Sequence, residues 1–345
     1  MSGEPLHTPA VPAALPPARW RPRAGTLVGL AASALLLAAL YRNLDVRLVA
    51  ATLARVNPLW LLASVAMILP ITLLRAVRFF WVAPADALPS ITEAVRLTLV
   101  SSALNVFVPA KAGDLVKSYF IAKRSRTSAG VAVAIVVYER LCDLFGLIAW
   151  CLLGWLVGQP RTAGLPSAFF WALAAVGVVC VVLTLSDRAA GLVRTVISRG
   201  APARLPRRVR DLAEGWPNLI RHLRGRRVWI VAYSLLLWLT HLCQLWLFTR
   251  TLGADVPFAV SAALSAVALM AGQLPFTFAG LGARDLALVM LMRPYMPAEA
   301  AAAMGILTAT RNLLPPLMGA PMMGPYLAAV VDDARRWRRG LERTE

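Results

Sequence analysis

The stretch Ser101–Arg126, SSALNVFVPAKAGDLVKSYFIAKRSR, decides how the chain is read. An apolar segment stops at Pro109 and restarts behind Gly113 and Asp114. Hydrocarbon offers no partner to backbone groups freed at such a break, and each unsatisfied group costs several kcal/mol. A break at membrane depth must therefore be sheltered by protein or line a cavity. A second copy lies at Ala271–Arg293, AGQLPFTFAGLGARDLALVMLMR, where Pro275, Gly282 and Asp285 answer to Pro109, Gly113 and Asp114. The second copy holds five more residues between proline and aspartate. Asp114 precedes Arg140 by 26 residues (140 − 114), and Asp285 precedes Arg311 by the same 26 (311 − 285). Paired broken segments in corresponding halves point to the binding site of a transporter.

Outward from these segments, composition sets the class. With 59% hydrophobic residues in 345, the chain reads as an all-α integral membrane protein without room for a sizeable soluble domain. The net charge of +19 falls mainly between apolar segments, as the positive-inside rule expects, so nucleic acid is not a partner. An anionic lipid surface is. Only three basic residues are lysines, Lys111, Lys117 and Lys123, all in the first broken segment. Four cysteines in apolar segments and three scattered histidines make no metal-site spacing, and no metal or cofactor is expected. No removable signal peptide is expected, since the N-terminus is proline-rich and lacks an A-x-A-like site.

In chain order, residues 1–23 read as a disordered cytoplasmic N-terminus. A membrane domain follows at 24–331, with repeat halves at about 58–158 and 228–331, and 332–345 form a basic cytoplasmic tail. Full spans are expected at about Ala24–Tyr41, Pro58–Leu74, Ser128–Gly158, Ser167–Leu185, Val228–Phe248 and Pro297–Val331. The last is kinked or split by Pro315, Pro316 and Pro321. The two broken segments become re-entrant hairpins, one from each face. The sum is about six full spans plus two re-entrant broken helices as an inverted repeat, with eight full spans as the rival topology. The loop 186–227 carries eleven arginines and should be cytoplasmic. Within it, Val209–Leu223 has the pattern of an amphipathic helix for an anionic lipid surface. Arg75 and Arg78, followed by Phe79, Phe80 and Trp81, fit interfacial anchors, and Lys117 fits the same role. The setting expected is a bacterial-type cytoplasmic membrane, with both termini inside.

Chemistry concentrates in AIVVYERLCDLFGL, where Glu139, Arg140 and Asp143 sit in an otherwise apolar segment. One ionised side chain at a helix centre costs about 2.5–3.5 kcal/mol even on lenient scales, so three need compensation. Glu139 and Asp143 share a helix face; Arg140 projects about 100° away, toward the hairpin or the helix of Arg311. Asp114 and Asp285 can cap their helices, or their helix N-termini, with Lys111 and Arg284 beside them, can converge on an anionic group. Asn105, Gln273 and Asn312 are polar neighbours, and Gly113, Gly280 and Gly282 allow turns or close backbone approach.

Three motifs in order, N-x3-P-x3-G-D, YERLCD and P-x4-G-L-G-x-R-D, resemble the integral membrane region of the lysylphosphatidylglycerol synthases, also called flippase-like or UPF0104. The likeness runs from about Arg42 to Val331, departing at Asp114 and Asp285, where it implies glutamate, and at Lys111, where it implies arginine. It implies a lipid-handling membrane domain. No soluble transferase domain is expected, so lipid aminoacylation is not carried over. The resulting expectation is a lipid translocase moving an anionic or zwitterionic headgroup, with Arg140 and Arg311 on the phosphate and Glu139 or Asp143 neutralising them in the empty site. Two alternatives are an integral membrane transferase using a lipid-phosphate sugar donor, and a scaffold for lipid-biosynthesis enzymes.

Overall fold

The computed structural model describes residues 24–42, 44–107, 113–125, 127–159, 165–199, 207–273 and 280–341. The expected disordered N-terminus, Pro109, Lys111 and Pro275 lie outside them. The described residues form α1 (Ala24–Arg42), α2 (Val46–Ala54), α3 (Pro58–Ala66), α4 (Ile68–Val82), α5 (Ile91–Phe107), α6 (Asp114–Arg124), α7 (Ala129–Gly158) and α8 (Ser167–Leu185). They continue with α9 (Asp187–Arg199), α10 (Arg207–His222), α11 (Arg227–Thr251), α12 (Phe258–Ala271), α13 (Ala283–Met292), α14 (Ala298–Gly319) and α15 (Met323–Leu341). Among the described residues, five stretches are long and apolar enough to cross a membrane: Pro58–Val82, Ala129–Gly158, Ser167–Leu185, Arg227–Thr251 and Ala298–Asp333. Five of the six expected spans correspond to these. The sixth, α1, holds a shorter apolar stretch, Gly29–Arg42. The protein is an all-α, multi-pass membrane protein.

Two of the long stretches are jointed, and proline explains both joints. Pro70 has no N–H for the carbonyl of Ala66, where α3 ends. At the other end, Pro315 and Pro316 lie inside α14, and one 3₁₀ turn, Ala320–Met322, joins it to α15.

The chain doubles back at both broken segments. A Cβ on Gly113 would lie 2.6 Å from the backbone of Ser101 and Asn105, so the start of α6 touches the end of α5. At the open end of this hairpin, Glu93 of α5 pairs with Arg124 of α6 at 2.5 Å. In the second hairpin, Gly272 after α12 meets Gly280 before α13, with 2.5 Å from a Cβ on Gly280 to the Gly272 carbonyl. Gly280 and Gly282 have φ of +77° and +88°, which favours glycine at both.

The helix α7 serves as a ruler for depth. α6 ends four residues before α7 begins, and its first residue, Asp114, pairs with Arg140, the twelfth residue of α7. The first hairpin therefore reaches from the N-terminal end of α7 to its middle. α12 starts at the opposite end, where Gly154 and Gly158 pack on Ala259, Val260 and Ala263. It finishes at Met270 and Gln273, which line a cavity with Arg140. The hairpins approach from opposite ends of α7, and the described residues beside their turns, Asp114 and Gln273, both lie near Arg140.

The basic loop overturns one expectation. α10 is amphipathic, but Ala213, Trp216, Leu219, Ile220 and Leu223 are buried in the protein core instead of facing lipid. The cause is a close glycine crossing with α7, in which a Cβ on Gly130 would lie 2.1 Å from the Asp211 carbonyl and one on Gly215 would lie 2.1 Å from Gly130. Hydrogen bonds from Arg227 and Arg224 tie the adjoining α9 to α11 through Asp187, holding that carboxyl below its usual range. Gly130→Val is expected to push α10 off α7 at a cost of at least about 1–3 kcal/mol. A lower unfolding temperature with faster hydrogen exchange across residues 207–222 checks this; an unchanged profile would contradict the crossing.

Candidate functional site

Six of the described helices contribute ionisable groups around the middle of α7. On α7, Asp143 accepts from Arg78 Nη1 of α4 at 2.8 Å, and Glu139 lies 3.9 Å from Arg78 Nε. Lys117 of α6 reaches Glu139 at 3.4 Å and sits over the Phe79 ring, 4.6 Å from its centroid. Arg78 and Lys117 are each 2% exposed, which corrects their reading as interfacial anchors. They face helices, not headgroups, because Glu139 and Asp143 on one face of α7 require buried counter-charges. Arg75, the third expected anchor, is half-buried and within electrostatic range of Glu139, Asp143 and Arg78.

The two helix-opening aspartates behave differently. Asp114 accepts from Ser101 Oγ at 2.6 Å and Asn105 Nδ2 at 3.2 Å, and pairs with Arg140. Its carboxylate holds α5, α6 and α7 together and makes no cap. Asp285 does cap α13, accepting from the Gly282 N–H at 3.0 Å. Its other oxygen takes two hydrogen bonds from Arg284, at 2.9 and 2.6 Å, and Arg284 also donates to the Gly305 carbonyl of α14 at 3.3 Å. At 3% exposure Arg284 is committed to the α13–α14 contact and is not aimed at a ligand, correcting that expectation. Gly305 permits the contact, since a Cβ there would lie 2.9 Å from Asp285 Oδ1. The equal spacing of 26 residues thus gives an ion pair at Asp114–Arg140 and none at Asp285–Arg311 among the described residues.

Arg311 instead meets a residue the sequence pattern left aside. Its Nη2 lies 2.7 Å from Nδ1 of His241 on α11. A guanidinium has only donors, so Nδ1 accepts and the ring is neutral, with its proton on Nε2. Arg311 Nη1 is buried without a hydrogen-bond partner. Two other polar residues of α11 share its face: Ser234 accepts from Arg78 at 3.1 Å, and the Trp238 indole N–H donates to Asp143 at 3.3 Å. The spacing 234, 238, 241 inside the expected Val228–Phe248 span was the available signal. Asn312 is exposed, one helical step from Arg311, and takes no part. Neither Glu139 nor Asp143 makes an ion pair with Arg311 among the described residues, so its expected neutralisation by them is not made.

Charges at this level do not balance. Asp143, Glu139, Asp114 and Asp285 are matched by Arg78, Lys117, Arg140 and Arg284 respectively. Two guanidinium groups remain, Arg75 and Arg311. Arg75 makes no hydrogen bond and no ion pair within 4 Å among the described residues, yet lies within electrostatic range of Arg140, Arg311 and His241. Like charges repel by about 4 kcal/mol at 4 Å in a protein of effective dielectric near 20, and by less as they separate. An anion between them removes that repulsion. Beside Arg140, the residues Val137, Leu141, Leu144, Met270 and Gln273 complete the lining of a cavity of about 360 Å³. One cation and one carboxamide on otherwise apolar walls suit an amphiphile. Among the described residues no group of three His, Cys, Asp or Glu could hold a metal ion.

Comparison with known proteins agrees with this architecture. A UPF0104 membrane protein of Methanothermobacter thermautotrophicus (strain Delta H) is 28% identical over 208 residues, covering 55% of this chain and 61% of that protein. The chain thus spans about six-tenths of the length of that curated relative. The family profile described as the lysylphosphatidylglycerol synthase TM region matches residues 26–319, nearly the whole of the helical domain, and the chain belongs to that lipid-related membrane family.

Proposed function

We propose that the protein moves a lipid with an anionic headgroup between the two leaflets. One observation carries this reading: near Arg140, which two hairpins approach from opposite ends of α7, the neighbouring Arg75 and Arg311 have no carboxylate within ion-pair distance among the described residues. Paired broken elements with a charged centre are the arrangement by which alternating-access transporters hold substrate near the bilayer midplane. The headgroup occupies the guanidinium pair, Arg140 and Gln273 bound the adjoining cavity, and the acyl chains stay against its apolar walls. Separation of one hairpin from α7, then of the other, exposes the headgroup to each leaflet in turn. The membrane is a bacterial-type cytoplasmic membrane, with the arginine-rich α9–α10 side in the cytoplasm by the distribution of charge.

The test is a proteoliposome assay in which a fluorescent phosphatidylglycerol is bleached from outside. Purified protein should raise the fraction bleached above that of protein-free vesicles. Lipid that binds the protein but stays in its original leaflet would refute the translocase reading.

A further inference from the structure

On the translocase reading, the imbalance of charge also bears on the class of headgroup. Four carboxylates on α6, α7 and α13 pair with four cations, leaving Arg75 and Arg311 among the described residues. His241 adds nothing, because its Nδ1 must accept from Arg311. The described residues at this level therefore carry an excess of two positive charges. Arg75 has no carboxylate within 4 Å and Arg311 Nη1 is buried without a hydrogen-bond partner among the described residues, so the excess is one that a bound anion would meet.

We infer that the substrate headgroup carries two negative charges, as a terminal phosphomonoester does. A zwitterionic headgroup would bring its own cation into a layer that already has two too many. A phosphodiester carries one charge and would leave one guanidinium uncompensated. A phosphomonoester neutralises both, and it presents three terminal oxygens where a diester presents two. The donors fit that count. Arg311 Nη1 is buried and unpartnered, and the fork of Arg75 is free of hydrogen bonds among the described residues. Arg140 differs, since Asp114 and Asp143 already occupy it, the latter at 3.6 Å. It lines the adjoining cavity and adds no net charge.

The experiment compares phosphatidic acid, phosphatidylglycerol and phosphatidylcholine at pH 8, where a phosphomonoester is mostly doubly ionised. Retention by the purified full chain is read by native mass spectrometry, and leaflet exchange is read in proteoliposomes. Phosphatidic acid should be retained one per protein and exceed phosphatidylglycerol by about tenfold or more, the worth of one further charge-assisted contact. In Arg75→Gln the preference should shrink to about twofold or less, because one lone cation suits one charge. Arg75→Lys should keep the preference, which separates charge from a merely structural role.

Equal retention of phosphatidylglycerol, or two phosphatidylglycerols bound together, would overturn the inference while leaving translocation intact. Preference for phosphatidic acid with no leaflet exchange would uphold the doubly charged site and overturn translocation. Uptake of radiolabelled inorganic phosphate without lipid movement would keep the dianion chemistry and assign the site to the free ion.

Discussion

Replacing both Arg75 and Arg311 by glutamine is expected to lower lipid exchange in proteoliposomes by about 100-fold or more, if each guanidinium contributes about 1.5–3 kcal/mol to an anionic headgroup. Both arginines lack a carboxylate partner, so the change breaks no ion pair among the described residues. The variant should therefore fold, with an unfolding temperature in detergent close to that of the wild type. Relief of repulsion between two like charges works in the same direction. Wild-type exchange in this double variant would remove the proposed site. Loss of exchange with an unfolded protein would place the arginines in stability instead, and that is excluded by measuring both quantities on one preparation.

The opposite pattern is expected at Arg78. Its guanidinium is the main partner of Asp143 and also faces Glu139 and Ser234, at 3% side-chain exposure. Arg78→Met leaves two carboxylates in a low-dielectric interior without their shared guanidinium, with Lys117 and Arg140 in ion-pair range and Arg75 farther off, a loss of about 3–5 kcal/mol. The unfolding temperature should fall sharply whether or not lipid is present. Adding Asp143→Asn to Arg78→Met should recover part of the loss, since it removes the stranded charge. An unchanged unfolding temperature in the single variant would contradict the buried network.

Arg75 and Arg78 lie three residues apart on one helix, and their different roles show where sequence reading stops. The helix restarts behind Gly113 and Gly282, the positions of long apolar runs and the charged YERLCD segment were all legible, because each follows from local chemistry in hydrocarbon. What covers a side chain is not local. Arg75, Arg78 and Lys117 beside aromatic residues look the same whether they face headgroups or a neighbouring helix. Only the packing of α4 and α6 against α7 distinguishes the cases. The amphipathic pattern of α10 was equally visible, but a period of 3.6 identifies an apolar face without naming its cover. Here the cover is protein, through Gly130 and Gly215.

The matched aspartates teach a similar lesson. Asp114 and Asp285 occupy corresponding places in the two segments, yet Ser101 and Asn105 on the preceding leg draw the first away from capping. Arg284, one residue earlier in the chain, keeps the second beside the helix end that it caps. His241 was the largest omission. A lone histidine in an apolar span gives no sign of which helix it will meet, and its importance comes from Arg311, 70 positions away.

Because the described ends of both hairpins lie near Arg140, in the middle of α7, opening of either one as proposed above would admit water to that depth and leave an insulating layer thinner than the bilayer. The transmembrane voltage then drops over that short septum, at about 2.3 kcal/mol per elementary charge per 100 mV. On the translocase reading, an anionic headgroup crossing it would pass through much of the field, and the polarity of the membrane would favour one direction of transfer.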